Sequence, residues 1–159
     1  MKSAIKVTCL VFASVLVSAI VGVAVFGNPA GLSGTDYALR QQALIRTLNT
    51  PMPILGAVTI LLGLISAFSG GGGRHAFGWW IVGAILMIMA GLVTRFYNQP
   101  INAVVMTWVP QALPSNWQSL RDDWWHWHKI RTALSVLGFA LFVIGYVRGR
   151  CSDREEVSV

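Results

Sequence analysis

Charged residues are what this sequence has least of. Of its 159 residues, 11% are Asp, Glu, Lys or Arg, while 55% are hydrophobic. A water-soluble domain of this length could not cover its apolar interior with so few charges, which excludes a secreted or cytosolic globule and makes lipid the expected solvent. The net charge of +6 is spread singly between apolar runs. It forms no basic stripe, so nucleic acid is not an expected partner. Cysteine is equally scarce: Cys9 lies in the first apolar run and Cys151 near the C-terminus, a spacing that suits neither a metal site, a CxxC redox pair nor a disulfide framework. His126 and His128 would point about 200° apart on a helix, which argues against a bis-histidine metal or haem site. The first two apolar runs hold no histidine to pair across a bundle. The glycine-rich stretch 69–73 lacks the Lys-Ser/Thr that completes a phosphate-cradling loop, so it reads as a turn.

Long apolar runs are what the sequence does have. Residues 5–26 are long enough, at about 1.5 Å per residue, to cross a hydrocarbon layer of about 30 Å. Lys2 and Lys6 give the run a signal-like start, but its length and the lack of a small-x-small cleavage site mark it as a retained first helix. Further spans are expected at 52–68, 77–93 and 130–147, within a single four-span domain over residues 1–150. The fold class is thus an all-α, integral-membrane four-helix bundle.

Pro51 and Pro53 suit the first turn of the second span, where a missing N–H costs nothing. Between the first two spans, residues 37–48 alternate Arg40, Gln41, Gln42 and Arg46 with Leu39, Leu44 and Ile45, as a short amphipathic helix at the membrane surface would, with Thr35 and Asp36 as its cap. Gly83 and Gly91 would allow close helix approach in the third span. Six of the seven tryptophans fit interfacial belts, Trp108 being ambiguous. Residues 151–159 form a mixed-charge tail with no reason to fold. Lys and Arg fall evenly on the two sides; setting aside Arg95 and Arg131 as pocket residues favours cytoplasmic termini.

Two polar clusters interrupt this pattern. The first runs from Thr94 to Asn102 and holds Arg95, Asn98 and Asn102, with Pro100 between the asparagines. Each buried amide needs a partner, since leaving one unpaired in an apolar medium costs several kcal/mol on strict transfer scales, so a polar pocket is expected here. The second runs from Ser119 to Thr132. Ser119 and Asp122 suggest a helix N-terminus, and on that helix Arg121, Trp124 or Trp125, His128, Arg131 or Thr132, and Ser135 share one stripe. Arg131 inside a span needs a partner or a use, though a snorkelling anchor is an equal reading for it alone. His126 and His128, taken alone, read as belt residues among tryptophans.

The pattern Arg95-x-x-Asn98-x-Pro100-x-Asn102, followed by Trp124 or Trp125 and His128-x-x-Arg131-Thr132 entering a last span, resembles the anthrone oxygenase-like family of small four-helix membrane proteins. The resemblance extends over nearly the whole chain and is most specific in the Asn-x-Pro-x-Asn element. It implies oxidation of a hydrophobic aromatic substrate by dioxygen with no cofactor, neither metal nor flavin. By that resemblance His128 would be the base and Arg131, with Arg95, would stabilise the resulting anion. Asn98 and Asn102 would bind substrate oxygens, and Trp125 would supply an aromatic wall. The competing expectation is a non-catalytic membrane protein in which the same residues bind a lipid or small solute or hold a structural network.

Overall fold

The computed structural model describes residues 2–70 and 73–157. Gly71 and Gly72 of the expected glycine turn, and the last two residues of the expected tail, lie outside them. The chain forms α1 (Lys2–Phe26), α2 (Gly34–Leu48), α3 (Pro51–Phe68), α4 (Gly73–Val93), a π-helical turn (Thr94–Asn98), α5 (Gln99–Val105) and α6 (Trp117–Val157). Among the described residues four helical stretches are long and apolar enough to cross a membrane: Lys2–Phe26, Pro51–Phe68, Ala76–Val105 and Trp117–Cys151. The chain is a multi-pass membrane protein. Large apolar side chains such as Val11, Leu61, Ile85 and Leu137 lie exposed on all four spans, which is the reverse of a water-facing surface.

Lipid tails are as apolar as leucine, so burial alone does not drive such helices together; close packing must. The core around Phe142 shows how. Its ring is fully buried, stacks on Trp80 with centroids 5.1 Å apart, and packs against two glycines. A Cβ on Gly63 would lie 2.6 Å from this ring, and one on Gly83 would lie 2.7 Å from it and 3.0 Å from the Gly138 carbonyl. The absent side chains are therefore what lets α3, α4 and α6 converge. Gly83→Val is expected to destabilise the bundle by about 1–3 kcal/mol, the usual cost of overpacking; thermal unfolding in detergent would measure it.

Several boundaries differ from those the sequence suggests, and each has a local cause. The third span does not stop at Val93 but continues through the π turn into α5. Pro100 stands just after the π turn, where the ladder of backbone hydrogen bonds is already irregular and a missing N–H costs less than inside a regular helix. The last helix begins at Trp117 rather than at Ser119, so Ser119 lies inside it. It also runs on to Val157 where an unstructured tail was expected, the residues after Gly149 holding no glycine or proline to stop a helix already under way. In α2 the cap is Ser33, not Thr35 or Asp36: Ser33 Oγ accepts from the Asp36 N–H at 3.2 Å and donates to Asp36 Oδ2 at 2.6 Å. Trp80 and Trp124 are core residues and not belt residues, and Trp108 is buried with them.

α2 does not merely rest on the surface. Its face of Tyr37, Ala38, Gln41, Gln42 and Ile45 is buried, in part against Val105 and Trp108. Gln42 Nε2 donates to the carbonyls of Val105 at 3.0 Å and Trp108 at 2.9 Å, tying α2 to the end of α5 and the residues after it. Burial raises the pKa of the Tyr37 phenol above its usual range, so this side chain stays neutral in the packed face. The segment thus forms a lid over one end of the bundle.

Candidate functional site

Residues 124, 128, 131 and 135 of α6 fall on one helical face at spacings of four, three and four. His128 is fully buried and stacks on the rings of Trp124 and Trp125, with centroids at 5.0 and 5.5 Å. Its Nδ1 lies 2.7 Å from Arg131 Nη2. A guanidinium only donates, so Nδ1 is the acceptor and the proton of the neutral ring belongs on Nε2. That atom is buried and has no hydrogen-bond partner among the described residues. Arg131 Nη1 donates to Thr94 Oγ1 at 3.4 Å, and that hydroxyl donates in turn to the Ala90 carbonyl at 3.0 Å. Arg131 Nε is buried with no partner.

The asparagines build the wall beside this pair. Trp124 Nε1 donates to Asn102 Oδ1 at 2.8 Å, and Asn102 Nδ2 donates to Asn49 Oδ1 at 3.0 Å. An indole N–H can only donate, so it fixes which way each amide in this chain faces. Asn98 Nδ2 donates to the Trp124 carbonyl at 3.1 Å, while its Oδ1 is buried without a partner. The π turn delivers Thr94 and Asn98 to α6, one to Arg131 and the other to Trp124. Such turns recur at functional positions in helices.

These walls line a half-open cavity of about 290 Å³ between α1, α2, α3, α4, the π turn, α5 and α6. Leu16, Ile20, Met52, Ile60 and Met87 make much of its surface apolar, and Gln41, Asn49, Thr94, Arg95, Gln99, Asn102 and Arg131 supply the polar side. Asn49 and Arg95 are exposed and lie at the rim, while Gln41 is buried. Gly56 and Gly91 also line the space, and a Cβ on either would meet nothing within 4 Å. Gly91 is therefore a cavity residue and not the close-approach point it suggests in the sequence. The volume is near the lower limit of small-molecule sites, room for one compact ring system and not for the two chains of a lipid.

Of the expected site residues, Arg95, Asn102 and Arg131 line the cavity; His128, Asn98 and Trp125 do not. His128 stands behind Arg131, Asn98 holds Trp124 in place, and Trp124 takes the wall position expected of Trp125. Gln41, Asn49, Thr94 and Gln99 join the lining without having been singled out. The glutamine pair on an otherwise amphipathic helix was the available signal for Gln41. Among the described residues no three His, Cys, Asp or Glu side chains converge as metal ligands would.

A family model described as anthrone oxygenase matches residues 42–141. The chain belongs to that family. Comparison with curated proteins and with solved structures finds no match. The anthrone oxygenase match spans the π turn, the asparagine motif and the His128–Arg131 pair, while α1 and Gln41, which complete the cavity, precede it.

Proposed function

We propose that this chain is an oxygenase that uses dioxygen to oxidise a flat, enolisable aromatic ketone held in the cavity. The observation that supports this most directly is a guanidinium on the wall of an otherwise largely apolar, membrane-embedded space of ring-system size. An activated methylene conjugated to a carbonyl loses one proton to give an enolate. Arg131, aided at the rim by Arg95, stabilises that negative charge where little water competes. The proton leaves to water at the rim beside Asn49 and Gln99. The electron-rich carbon passes one electron to dioxygen, the two radicals combine into a C–O bond, and protonation gives a hydroperoxide. Loss of water, taking the carbon's second hydrogen and the terminal O–H, leaves the quinone carbonyl. One dioxygen is consumed, with one oxygen atom retained in product and one released as water.

In this reading His128 positions Arg131 and is not the base, because its acceptor nitrogen already holds an Arg131 N–H. The two roles separate by substitution. His128→Asn keeps an acceptor near the Nδ1 position but no basicity, and is expected to retain turnover within about fivefold; His128→Ala is expected to lose tenfold or more, the scale of about 1.5–3 kcal/mol for a hydrogen bond to a charged group. Equal loss in both variants would return the base role to His128.

The direct test is incubation of the full chain, reconstituted in lipid nanodiscs, with a reduced anthrone under oxygen while quinone absorbance is followed. Formation above the rate in empty nanodiscs is expected. A rate equal to theirs would overturn the proposal, and retained ligand binding without quinone would mark a binding protein for a lipid or small solute instead.

A further inference from the structure

The cavity holds a charge, Arg131, that no carboxylate among the described residues balances. Among the described residues the one ion pair joins Arg121 to Asp122, at 2.8 Å. The chain has six acidic residues. Asp36 is engaged with Ser33, and Asp122 with Arg121. Asp123 lies eight residues before Arg131, about 12 Å along the helix axis, and is exposed. The other three follow residue 152, about 33 Å or more along α6 in the opposite direction. Arg131 instead meets two neutral acceptors, His128 Nδ1 and Thr94 Oγ1, and keeps a buried Nε–H with no partner. A cation left unpaired at this depth is costly, so it marks a place where a counter-charge arrives from outside the chain.

A second donor without a partner among the described residues lines the same cavity. Gln41 of α2 is 4% exposed and lines the space, and its Nε2 has no hydrogen-bond partner. A buried amide without a partner costs about 1–3 kcal/mol, so it too calls for an acceptor inside the cavity. The lining contributed by α1, α3 and α4 is apolar, and Arg95, exposed at the rim, is the other cation on the cavity.

We infer that the cavity binds its ligand as an organic anion, a phenolate, enolate or carboxylate carried on a fused-ring body, with the anionic oxygen taken by Arg131 and Gln41. The inference rests on the cavity being the substrate site and adds the ionisation state of what it accepts. Neutral aromatic hydrocarbons fit the walls but leave both donors unpaired, so charge selects among molecules of similar shape. The Trp124–His128 stack fixes the imidazole that orients the guanidinium, which preorganises the anion site before a ligand arrives.

The test is fluorescence titration of the nanodisc-embedded full chain at pH 7 with 9-anthracenecarboxylate and its neutral counterpart 9-anthracenemethanol. The carboxylate is expected to bind at least about tenfold more tightly, as a charge-assisted contact requires. Arg131→Met is expected to bring the ratio of the two affinities to about one, and Gln41→Leu to lower it part of the way. Arg46→Gln, an exposed change on α2 away from the cavity lining, is expected to leave it unaltered and so excludes general attraction to a basic protein. Equal binding of both probes by the unaltered chain would overturn the anion inference and leave the cavity reading standing. So would a ratio that survives both Arg131→Met and Gln41→Leu, or one that Arg46→Gln abolishes. Binding of neither probe would overturn both readings.

Discussion

Replacing Arg131 with methionine is expected to lower quinone formation by about 10²- to 10³-fold, the range seen when a single preorganised donor to a developing oxyanion is removed. Methionine preserves much of the length and apolar body of the side chain, so the helix should remain in place while the charge disappears. The expected loss falls on kcat as well as on binding, because without the guanidinium the ketone ionises less readily in the cavity to the enolate that meets dioxygen. Arg131→Lys separates charge from geometry: an ammonium restores a positive charge but cannot donate through a planar fork to His128 and Thr94 at once. Partial recovery is therefore expected from lysine. Steady-state rates for the three proteins in one nanodisc preparation, with circular dichroism to confirm equal helix content, provide the comparison. Full activity in the methionine variant would remove the guanidinium from the mechanism.

Gly91→Phe is expected to abolish ligand binding and turnover while leaving the bundle folded. A Cβ at this position meets no atom within 4 Å and the residue lines the cavity, so a phenyl ring placed there extends without displacing backbone and is expected to take up cavity space. A benzyl group would take a substantial part of about 290 Å³ and leave too little for a fused-ring ligand. Replacing a helical glycine also recovers helix propensity of several tenths of a kcal/mol, so stability should hold or rise. The contrast with Gly83→Val is diagnostic, since that position faces Phe142 and the Gly138 carbonyl at contact distance. One glycine variant is expected to remove function and keep stability, and the other to cost stability first. Thermal unfolding alongside probe binding distinguishes them, and unimpaired binding by Gly91→Phe would place the ligand elsewhere.

The fold was largely legible in the sequence because crossing a bilayer imposes length and hydropathy that few other constraints imitate. Pro51 and the four apolar runs located the spans to within a few residues at the ends that composition defines. The ends it does not define were misread: the span expected to close at Val93 stays helical to Val105, where the amides of Asn98 and Asn102 and the hydroxyl of Thr94 find partners in Trp124, Asn49 and Arg131. The candidate site was legible in part for a related reason. Periodicity showed that Trp124, His128, Arg131 and Ser135 share a face, but not which of them would meet the cavity and which would stand behind it. Nor could it pair Asn49 with Asn102 or turn Gln41 inward, because those arrangements depend on how α2 folds back over α5, 53 residues apart in the case of the two asparagines.

The π turn at Thr94–Asn98 places the polar segment out of phase with the span before it. Each residue of an α-helix advances the side-chain direction by about 100°, and a π turn absorbs roughly one residue more than an α turn. Removing one residue within 94–98 would therefore close the turn as an ordinary α turn and leave Asn102 and the rest of α5 heading as before, toward Trp124 and Asn49. What it would disturb is the turn itself, which brings both Thr94 and Asn98 to α6. The extra residue thus serves the contacts made inside the turn, and related chains that lack it should keep α5 in register while losing one of the two.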